Sequence, residues 1–207
     1  MFEALLEQDN LWFTTVHFEW ANPFLDTITP YIRNPYFWAP LYLFLLFYTT
    51  LNYKLKGLYW SLTYLATFGI ADYVSASIIK PWVQRIRPCN DELFADIVRP
   101  LVQCGGGYSF PSSHATNHFA MALFICLTLG RGKPWIWILA LVWAAMIAFS
   151  QIYVGVHYPV DTIAGALLGI IIGVITATFF NKAVTFKPKE KKYQYKGTDI
   201  DDNPTFI

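Results

Sequence analysis

The amino-acid sequence predicts an all-α protein, a polytopic membrane bundle of five to six transmembrane helices. Composition and the spacing of apolar segments both predict this class. Of the 207 residues, 55% are hydrophobic and only 14% are charged, whereas a soluble domain carries about 25% charged residues. Apolar segments close to the length of about 20 residues that a spanning helix needs recur along the chain. The formal net charge is +1, and we expect membrane lipids as neighbours and no nucleic-acid partner.

Five apolar segments are candidate spans. They cover approximately residues 35–52, 57–79, 115–129, 134–150 and 162–180. The second contains Asp72, a charge that should face the bundle interior or a polar cavity. The third is short, so its polar start should lie at the mouth of the membrane. In the fifth, Gly165, Gly169 and Gly173 recur every four residues, which predicts a face that another helix approaches closely.

The segment before the first span has a different character. Residues 1–34 mix acidic and large apolar side chains. This pattern favours N-terminal helices lying in the membrane interface, with a sixth, irregular span as the alternative. Residues 35–180 then form the transmembrane core and residues 181–207 a polar tail. We expect no second domain.

Lysine and arginine residues predict the orientation, because short cytoplasmic loops are rich in them. In a five-span bundle the basic residues at 54–56, 131–133 and 182–196 fall on one side, together with the C-terminal tail. The N-terminal segment, the 80–113 loop and the 151–157 turn fall on the opposite, extracytoplasmic face. Basic residues in the 80–113 loop depart from the rule, and anion binding is one reason for such a cluster.

The first motif on that face contains Lys80 and Arg87, followed by Pro88. A lysine at a helix end and an arginine seven residues later can hold one phosphate from two sides, because phosphate binds cations and fork-shaped donors. Taken alone, basic residues beside a membrane are more often anchors at the lipid surface.

The second motif is a glycine-rich stretch, residues 105–107, that leads to Pro111, Ser112, Ser113 and His114. A serine at a helix start caps the helix, and the free backbone N–H groups there bind anions. The Ser112 hydroxyl and the Ser113 N–H are therefore candidate phosphate ligands, and His114 is a candidate proton donor. The alternative is an ordinary helix cap beside a hydrogen-bonded histidine.

The third motif pairs His157 with Asp161, four residues later. If the chain is helical from about residue 159, the carboxylate can reach the imidazole. It would then fix the tautomer and stabilise a positive or phosphorylated ring. A lone histidine at a membrane surface usually has no such role, and the aspartate one helical turn away favours the functional interpretation.

In this order, and with spans that bring all three to one face, the motifs resemble the type-2 phosphatidic acid phosphatase superfamily of membrane lipid phosphatases. The resemblance covers about residues 20–180. The matching residues are Lys80, Arg87, Pro88, Pro111, Ser112, His114, Ser150, His157 and Asp161.

The resemblance implies a role for each motif. His157 would attack phosphorus and form a phosphohistidine, with Asp161 orienting it. His114 would protonate the leaving oxygen, and water would later release phosphate. The phosphoryl oxygens would be held by Lys80, Arg87, Ser112 and the backbone of Ser113. Neither a metal nor another cofactor is needed.

One position departs from the family pattern, because Gln151 stands where the family usually has arginine. Glutamine can donate a hydrogen bond but brings no charge, and a charge-assisted bond is roughly twice as strong as a neutral one. We expect Gln151 still to line the pocket, with a phosphate clamp that is weaker or is completed by another cation. Arg85 is the nearest candidate in sequence, but the resemblance assigns it no role.

Two cysteines, Cys89 and Cys104, lie in the loop between the first two motifs. On an extracytoplasmic face they can form a disulfide, which would contribute about 3 kcal/mol in the chain-entropy model. Two free thiols are the alternative. Cys126 lies in the third span and is expected to pack there.

The expected function is hydrolysis of a lipid phosphate or diphosphate by an integral protein of the bacterial inner membrane. Undecaprenyl diphosphate, phosphatidic acid, phosphatidylglycerol phosphate and lipid A phosphate are all candidate substrates. A metal-dependent hydrolase is one alternative, because His114 and His118 have the spacing of zinc ligands on a helix, although no third ligand is evident. A non-catalytic lipid-binding or transport protein on the same fold is another. The oligomeric state is left open.

Overall fold

The computed structural model describes residues 2–184, and this part of the chain folds into helices joined by loops. Three α-helices of this part of the chain precede the second predicted span. The α-helices are α1 (Phe2–Thr14), α2 (Pro23–Ile32), α3 (Ala39–Tyr53), α4 (Leu55–Asp72), α5 (Lys80–Val83), α6 (Ser113–Thr128), α7 (Pro134–Tyr153) and α8 (Pro159–Ala183). Helix α1 continues as a π-helical turn at Thr15–Glu19, and a π-helix at Tyr73–Ile79 joins α4 to α5. A 3-10 turn follows at Pro88–Asn90.

Three helices of the described chain are long and apolar enough to cross a membrane. They are the continuous helix Leu55–Val83, together with Pro134–Tyr153 and Pro159–Ala183. The other two predicted spans correspond to α3 and α6, which have 15 and 16 residues. Helices of that length fall short of the roughly 20 residues that span the hydrocarbon core. The all-helical membrane fold is confirmed, whereas the number of five spans stays a prediction.

Helix α6 lies at the centre of the bundle, and most of its residues are buried. It packs most closely against α8, where the three regularly spaced glycines allow the backbones to approach. A Cβ atom on Gly165 would lie 2.5 Å from the carbonyl oxygen of Ser112, and one on Gly173 would lie 2.5 Å from that of Ala120. The predicted close approach along these glycines is therefore present, and its partner is the helix that begins with the second motif.

An aromatic cluster holds α4, α6 and α8 together at the end of the bundle away from the motifs. The Trp60 ring stacks on Tyr64 at 5.0 Å and lies 5.4 Å from Phe124, which contacts Phe180 edge-on at 5.7 Å. The indole N–H of Trp60 donates to the hydroxyl of Thr128 at 2.8 Å. This cluster fixes the helices at one end, so that their opposite ends keep a constant spacing.

The N-terminal segment packs on the core at the end that carries the motifs. His17 is fully buried, its Nδ1 lies 2.7 Å from the carbonyl oxygen of Tyr153, and its Nε2 accepts the backbone N–H of Arg99 at 3.0 Å. The segment therefore joins the end of α7 to the loop before α6. Its location in the membrane interface stays a prediction. The predicted tail, residues 181–207, lies outside the described residues from residue 185 onward, and its first three residues belong to α8.

Candidate active site

The three motifs meet at one end of the bundle. The backbone N–H of Ser112, just before α6, donates to the carbonyl oxygen of Asp161 in the first turn of α8 at 2.9 Å. The hydroxyls of Ser75 and Ser113 lie 3.0 Å apart, which ties α6 to the helix that ends near Lys80. Segments separated by long stretches of sequence are thus joined by direct hydrogen bonds.

His157 follows a tight turn at the end of α7. Gly155 has a φ of +80° in this turn, and a Cβ there would lie 2.7 Å from Val98, so both conformation and space require glycine. The backbone N–H of His157 then donates to the carbonyl oxygen of Gln151 at 3.3 Å. The turn places the imidazole inside the protein, where only 2% of the residue is exposed.

Asp161 reaches the imidazole as the sequence predicted, because α8 begins at Pro159. Its Oδ2 lies 3.4 Å from Nδ1 of His157 and also accepts the backbone N–H of Tyr158 at 2.9 Å. The second bond fixes the carboxylate on the first turn of the helix. A proton on Nδ1 facing this carboxylate leaves the lone pair of Nε2 free.

Burial lowers the pKa of His157 to about 4, although the carboxylate of Asp161 acts in the opposite direction. The imidazole is therefore neutral at neutral pH. A neutral ring with a free Nε2 is the form that can act as a nucleophile.

A buried ion-pair network lies behind Asp161. Its second oxygen, Oδ1, accepts a hydrogen bond from Nη1 of Arg85 at 2.8 Å, and Nη2 of Arg85 donates to Asp9 at 2.7 Å. Asp9 also accepts the backbone N–H of Val160 at 2.9 Å, and the guanidinium lies 4.0 Å from the centre of the Tyr158 ring. Although burial opposes it, the two carboxylates raise the pKa of Arg85.

Neither Arg85 nor Asp9 was predicted from the sequence to have a role. The sequence contains a weak indication for Arg85, since this residue belongs to the basic cluster on the predicted extracytoplasmic side. It contains none for Asp9, because this residue is one of several acidic residues in the N-terminal segment and lies 152 positions before Asp161.

The glycine-rich loop orients the two cations of the first motif. Nζ of Lys80 donates to the carbonyl oxygen of Tyr108 at 2.9 Å, and Nε of Arg87 donates to that of Gly107 at 2.8 Å. A further bond of 3.3 Å joins Nη1 of Arg87 to the carbonyl oxygen of Val156, directly before His157. The charges of both cations act on the His157 ring.

The start of α6 carries the second motif. Ser112 is the N-cap, and its hydroxyl accepts the backbone N–H of Ala115 at 3.4 Å. Ser113 and His114 are the first two helical residues, where backbone N–H groups have no partner within the helix. The hydrogen bonds that join Ser112 to Asp161 and Ser113 to Ser75 place this motif beside the other two.

Gln151 is fully buried below this site. Its side-chain nitrogen donates within α7, to the carbonyl oxygen of Ile147 and the hydroxyl of Ser150, each at 3.3 Å. Its side-chain oxygen is buried and, among residues 2–184, has no hydrogen-bond partner. The prediction that Gln151 lines a phosphate pocket stays a prediction.

A disulfide joins Cys89 to Cys104 across the loop between the first two motifs. It closes a loop that begins two residues after Arg87 and ends beside the glycines that hold this arginine. Cys126 is buried in α6 as a free thiol.

Of the two histidines that raised the metal-site alternative, His118 has both ring nitrogens in hydrogen bonds. Nδ1 of His118 lies 2.7 Å from the carbonyl oxygen of His114, and Nε2 lies 3.0 Å from the hydroxyl of Tyr42. A carbonyl oxygen can only accept, so Nδ1 carries the proton and Nε2 accepts from Tyr42. Within residues 2–184 no group of three or more histidine, cysteine or acidic side chains is arranged to hold a metal.

The helical fold and the arrangement of the three motifs define a family of proteins, and the chain belongs to it: the PAP2 superfamily. The model of that family matches residues 58–185. The resemblance drawn from the three motifs is confirmed, and with it a phosphatase that is an integral membrane protein.

Individual relatives include two enzymes of the same name. The chain is 35% identical over 176 residues to lipid A 4'-phosphatase of Bacteroides thetaiotaomicron, covering 82% of this chain and 75% of that one. It is 33% identical over 177 residues to lipid A 4'-phosphatase of Porphyromonas gingivalis, covering 83% and 72%.

Two solved structures share the fold. The crystal structure of Aquifex aeolicus LpxE matches with a TM-score of 0.52 and 27% identity over 80% of this chain and 92% of that one. The PAP2-type phosphatidylglycerolphosphate phosphatase of Bacillus subtilis matches with a TM-score of 0.67 and 24% identity, over 89% and 90%.

Proposed function

We propose that this protein hydrolyses the phosphate monoester at the 4' position of lipid A and forms a phosphohistidine on His157 as the intermediate. The observation that carries the chemistry is the buried pair of His157 and Asp161 beside the cations Lys80 and Arg87. The choice of lipid rests on the two lipid A 4'-phosphatases, which resemble the chain well beyond residues 58–185.

In the first step, Nε2 of His157 attacks phosphorus, and the bond from phosphorus to the lipid oxygen breaks. His114 gives a proton to that oxygen, which leaves as a hydroxyl on the lipid. Asp161 stabilises the ring as it becomes positive, because its carboxylate faces Nδ1. The product on the enzyme is a phosphorylated His157.

In the second step, His114 accepts a proton from water, and the oxygen of the hydroxide that forms attacks phosphorus. The bond from phosphorus to Nε2 breaks, and inorganic phosphate leaves. Throughout, Lys80, Arg87, the Ser112 hydroxyl and the Ser113 N–H hold the phosphoryl oxygens, with Gln151 beneath. Preorganised donors of this kind are usually the largest contribution to catalysis.

The proposed location is a bacterial inner membrane, with the site on the extracytoplasmic face and the C-terminal tail in the cytoplasm. The disulfide at Cys89 supports this side, because such bonds persist in oxidising compartments. The basic residues between the helices at the other end support it as well.

The test uses purified protein in detergent and a panel of lipid phosphates: lipid A, undecaprenyl diphosphate, phosphatidic acid and phosphatidylglycerol phosphate. We expect phosphate release to be fastest from lipid A, with loss of its 4'-phosphate by mass spectrometry, and to persist in a strong chelator. Faster release from another member of the panel would reassign the lipid. No release from any of them would support the non-catalytic lipid-binding alternative, and loss of activity in chelator the metal-dependent one.

A further inference from the structure

The phosphate site has one cation fewer than the family pattern, because Gln151 stands in place of arginine. Arg85 does not fill the gap, since Asp9 and Asp161 bind its guanidinium. We propose that Arg33, directly after α2, is a phosphate-binding residue of this site and supplies the missing charge from the N-terminal segment. The inference rests on the proposed function and extends its site beyond the three motifs.

The backbone at Arg33 is fixed against the core. Its N–H donates to the carbonyl oxygen of Thr29 at 3.1 Å, which closes the last turn of α2. The indole N–H of Trp38 donates to the carbonyl oxygen of Ile32 at 2.7 Å, and the Trp38 ring meets Trp143 of α7 edge-on at 6.0 Å. These contacts hold the backbone at the start of the Arg33 side chain beside α7.

Arg33 lacks the carboxylate counter-ion that Arg85 and Arg99 possess. Arg85 and Arg99 form salt bridges with carboxylates, at 2.7 and 2.5 Å for their shortest contacts. Within residues 2–184, Arg33 has no carboxylate partner, and its Nε is buried without a hydrogen-bond partner. A buried guanidinium N–H without a partner is costly unless an acceptor such as an anion is bound beside it.

The neighbours of Arg33 identify that anion. Burial lowers the pKa of Arg33, and the charge of Arg87 lowers it further. The charge of Arg33 also acts on His114. Packing also places this segment beside the second motif, because Trp143, on which Trp38 packs, lies 5.0 Å from the ring of His118. His118 in turn stacks on His114 at 6.4 Å. Arg33 and Arg87 are like charges that repel each other. A phosphate group bound between them would relieve this repulsion and use the fork-shaped donors of the guanidinium.

A purely structural role is the competing explanation, because an arginine after the last turn of a helix interacts favourably with the helix dipole. The two roles differ in phosphate affinity. Inorganic phosphate is a suitable probe, since a ligand that binds only the folded protein raises the unfolding temperature with its concentration. The variants are Arg33→Gln, Arg33→Lys and, as a matched control, Arg131→Gln, whose exposed side chain lies between α6 and α7 at the other end of the bundle.

We expect Arg33→Gln to weaken phosphate binding about tenfold or more, which is the scale of one charged hydrogen bond. The KM for the lipid phosphate should rise in parallel. Arg33→Lys should lie between, because it keeps the charge and loses the fork, and Arg131→Gln should match the wild type. If Arg33→Gln does not fold, Arg33→Lys decides, and an unchanged affinity in that variant contradicts the proposal.

Other outcomes of these measurements also test the role of Arg33. A lower unfolding temperature without phosphate, combined with unchanged phosphate affinity, would assign Arg33 a structural role only and overturn the inference. So would a wild-type protein that phosphate does not stabilise. A wild type that binds phosphate through Arg33 but releases none from any lipid would leave the inference standing and remove the proposed function.

Discussion

Nη1 of Arg85 lies 2.8 Å from Oδ1 of Asp161, while the other oxygen of this carboxylate faces His157. The arginine is held in turn by Asp9 of α1. The arginine that holds the aspartate facing the candidate nucleophile is therefore itself held by the N-terminal segment, which lies outside residues 58–185 matched by the family model.

We predict that Arg85→Gln lowers kcat by about 10- to 100-fold, the usual cost of losing a partner that orients a functional side chain. The KM should change little, because Arg85 does not face the phosphate in the proposed mechanism. Asp9→Asn, which keeps an oxygen for the Val160 N–H, should have a smaller effect in the same direction. Steady-state kinetics on both variants is the measurement, and a change confined to KM would contradict the positioning role.

The low pKa of His157 predicts the acidic limb of the pH–rate profile. Burial lowers this pKa to about 4, so the neutral, reactive ring persists well below the ordinary value of 6.5. Activity should therefore fall only as the pH drops towards that range. In Arg85→Gln the limb should move to higher pH, because Asp161 then stabilises the protonated ring more strongly. A limb centred near 6.5 in the wild type would show that the ring is solvated, contrary to the structure.

His17 predicts a pH dependence of stability at the N-terminal segment. Burial lowers the pKa of His17, and its neutral Nε2 accepts the backbone N–H of Arg99. The unfolded chain thus binds a proton at a pH where the folded protein does not, so this contribution to stability is complete above about pH 6.5 and is lost as the pH falls. We expect the unfolding temperature to drop less between pH 7 and pH 5 in His17→Gln than in the wild type. Equal drops would contradict this assignment.

Close packing of α6 and α8 predicts a large effect at Gly169. A Cβ there would clash with the carbonyl oxygen of Thr116, so Gly169→Val should destabilise the protein by at least the 1–3 kcal/mol typical of overpacking. Gly69→Ala is the matched control, because a Cβ on this helical glycine meets nothing within 4 Å. Its unfolding temperature should be unchanged or higher, and similar losses for both variants would refute the packing argument.

The three motifs could be predicted from the sequence because each is short and local. The pairing of His157 with Asp161 needs only one helical turn, and that turn begins at Pro159 as expected. The close approach of α8 to another helix followed from the spacing of Gly165, Gly169 and Gly173. Family membership followed from the order of the three motifs.

The residues that surround these motifs could not be predicted, because tertiary folding brings them in. Asp9 reaches Arg85 across 76 positions, and nothing in its local sequence distinguishes it from other acidic residues nearby. Arg33 gave no signal either, since a basic residue after a short helix is commonplace. The number of spans could not be predicted for a similar reason. Helix α6 is enclosed by other helices, so it need not have the length of a helix that is surrounded by lipid.

A comparison of the wild type with one variant tests whether His157 is the nucleophile of a lipid phosphatase. Phosphate release from lipid A is measured with purified wild type and His157→Ala, after equal unfolding temperatures have shown that both are folded. We predict release by the wild type and a loss of about 10³-fold or more in the variant, the scale seen when a nucleophile is removed. Release by His157→Ala at the wild-type rate would contradict this role.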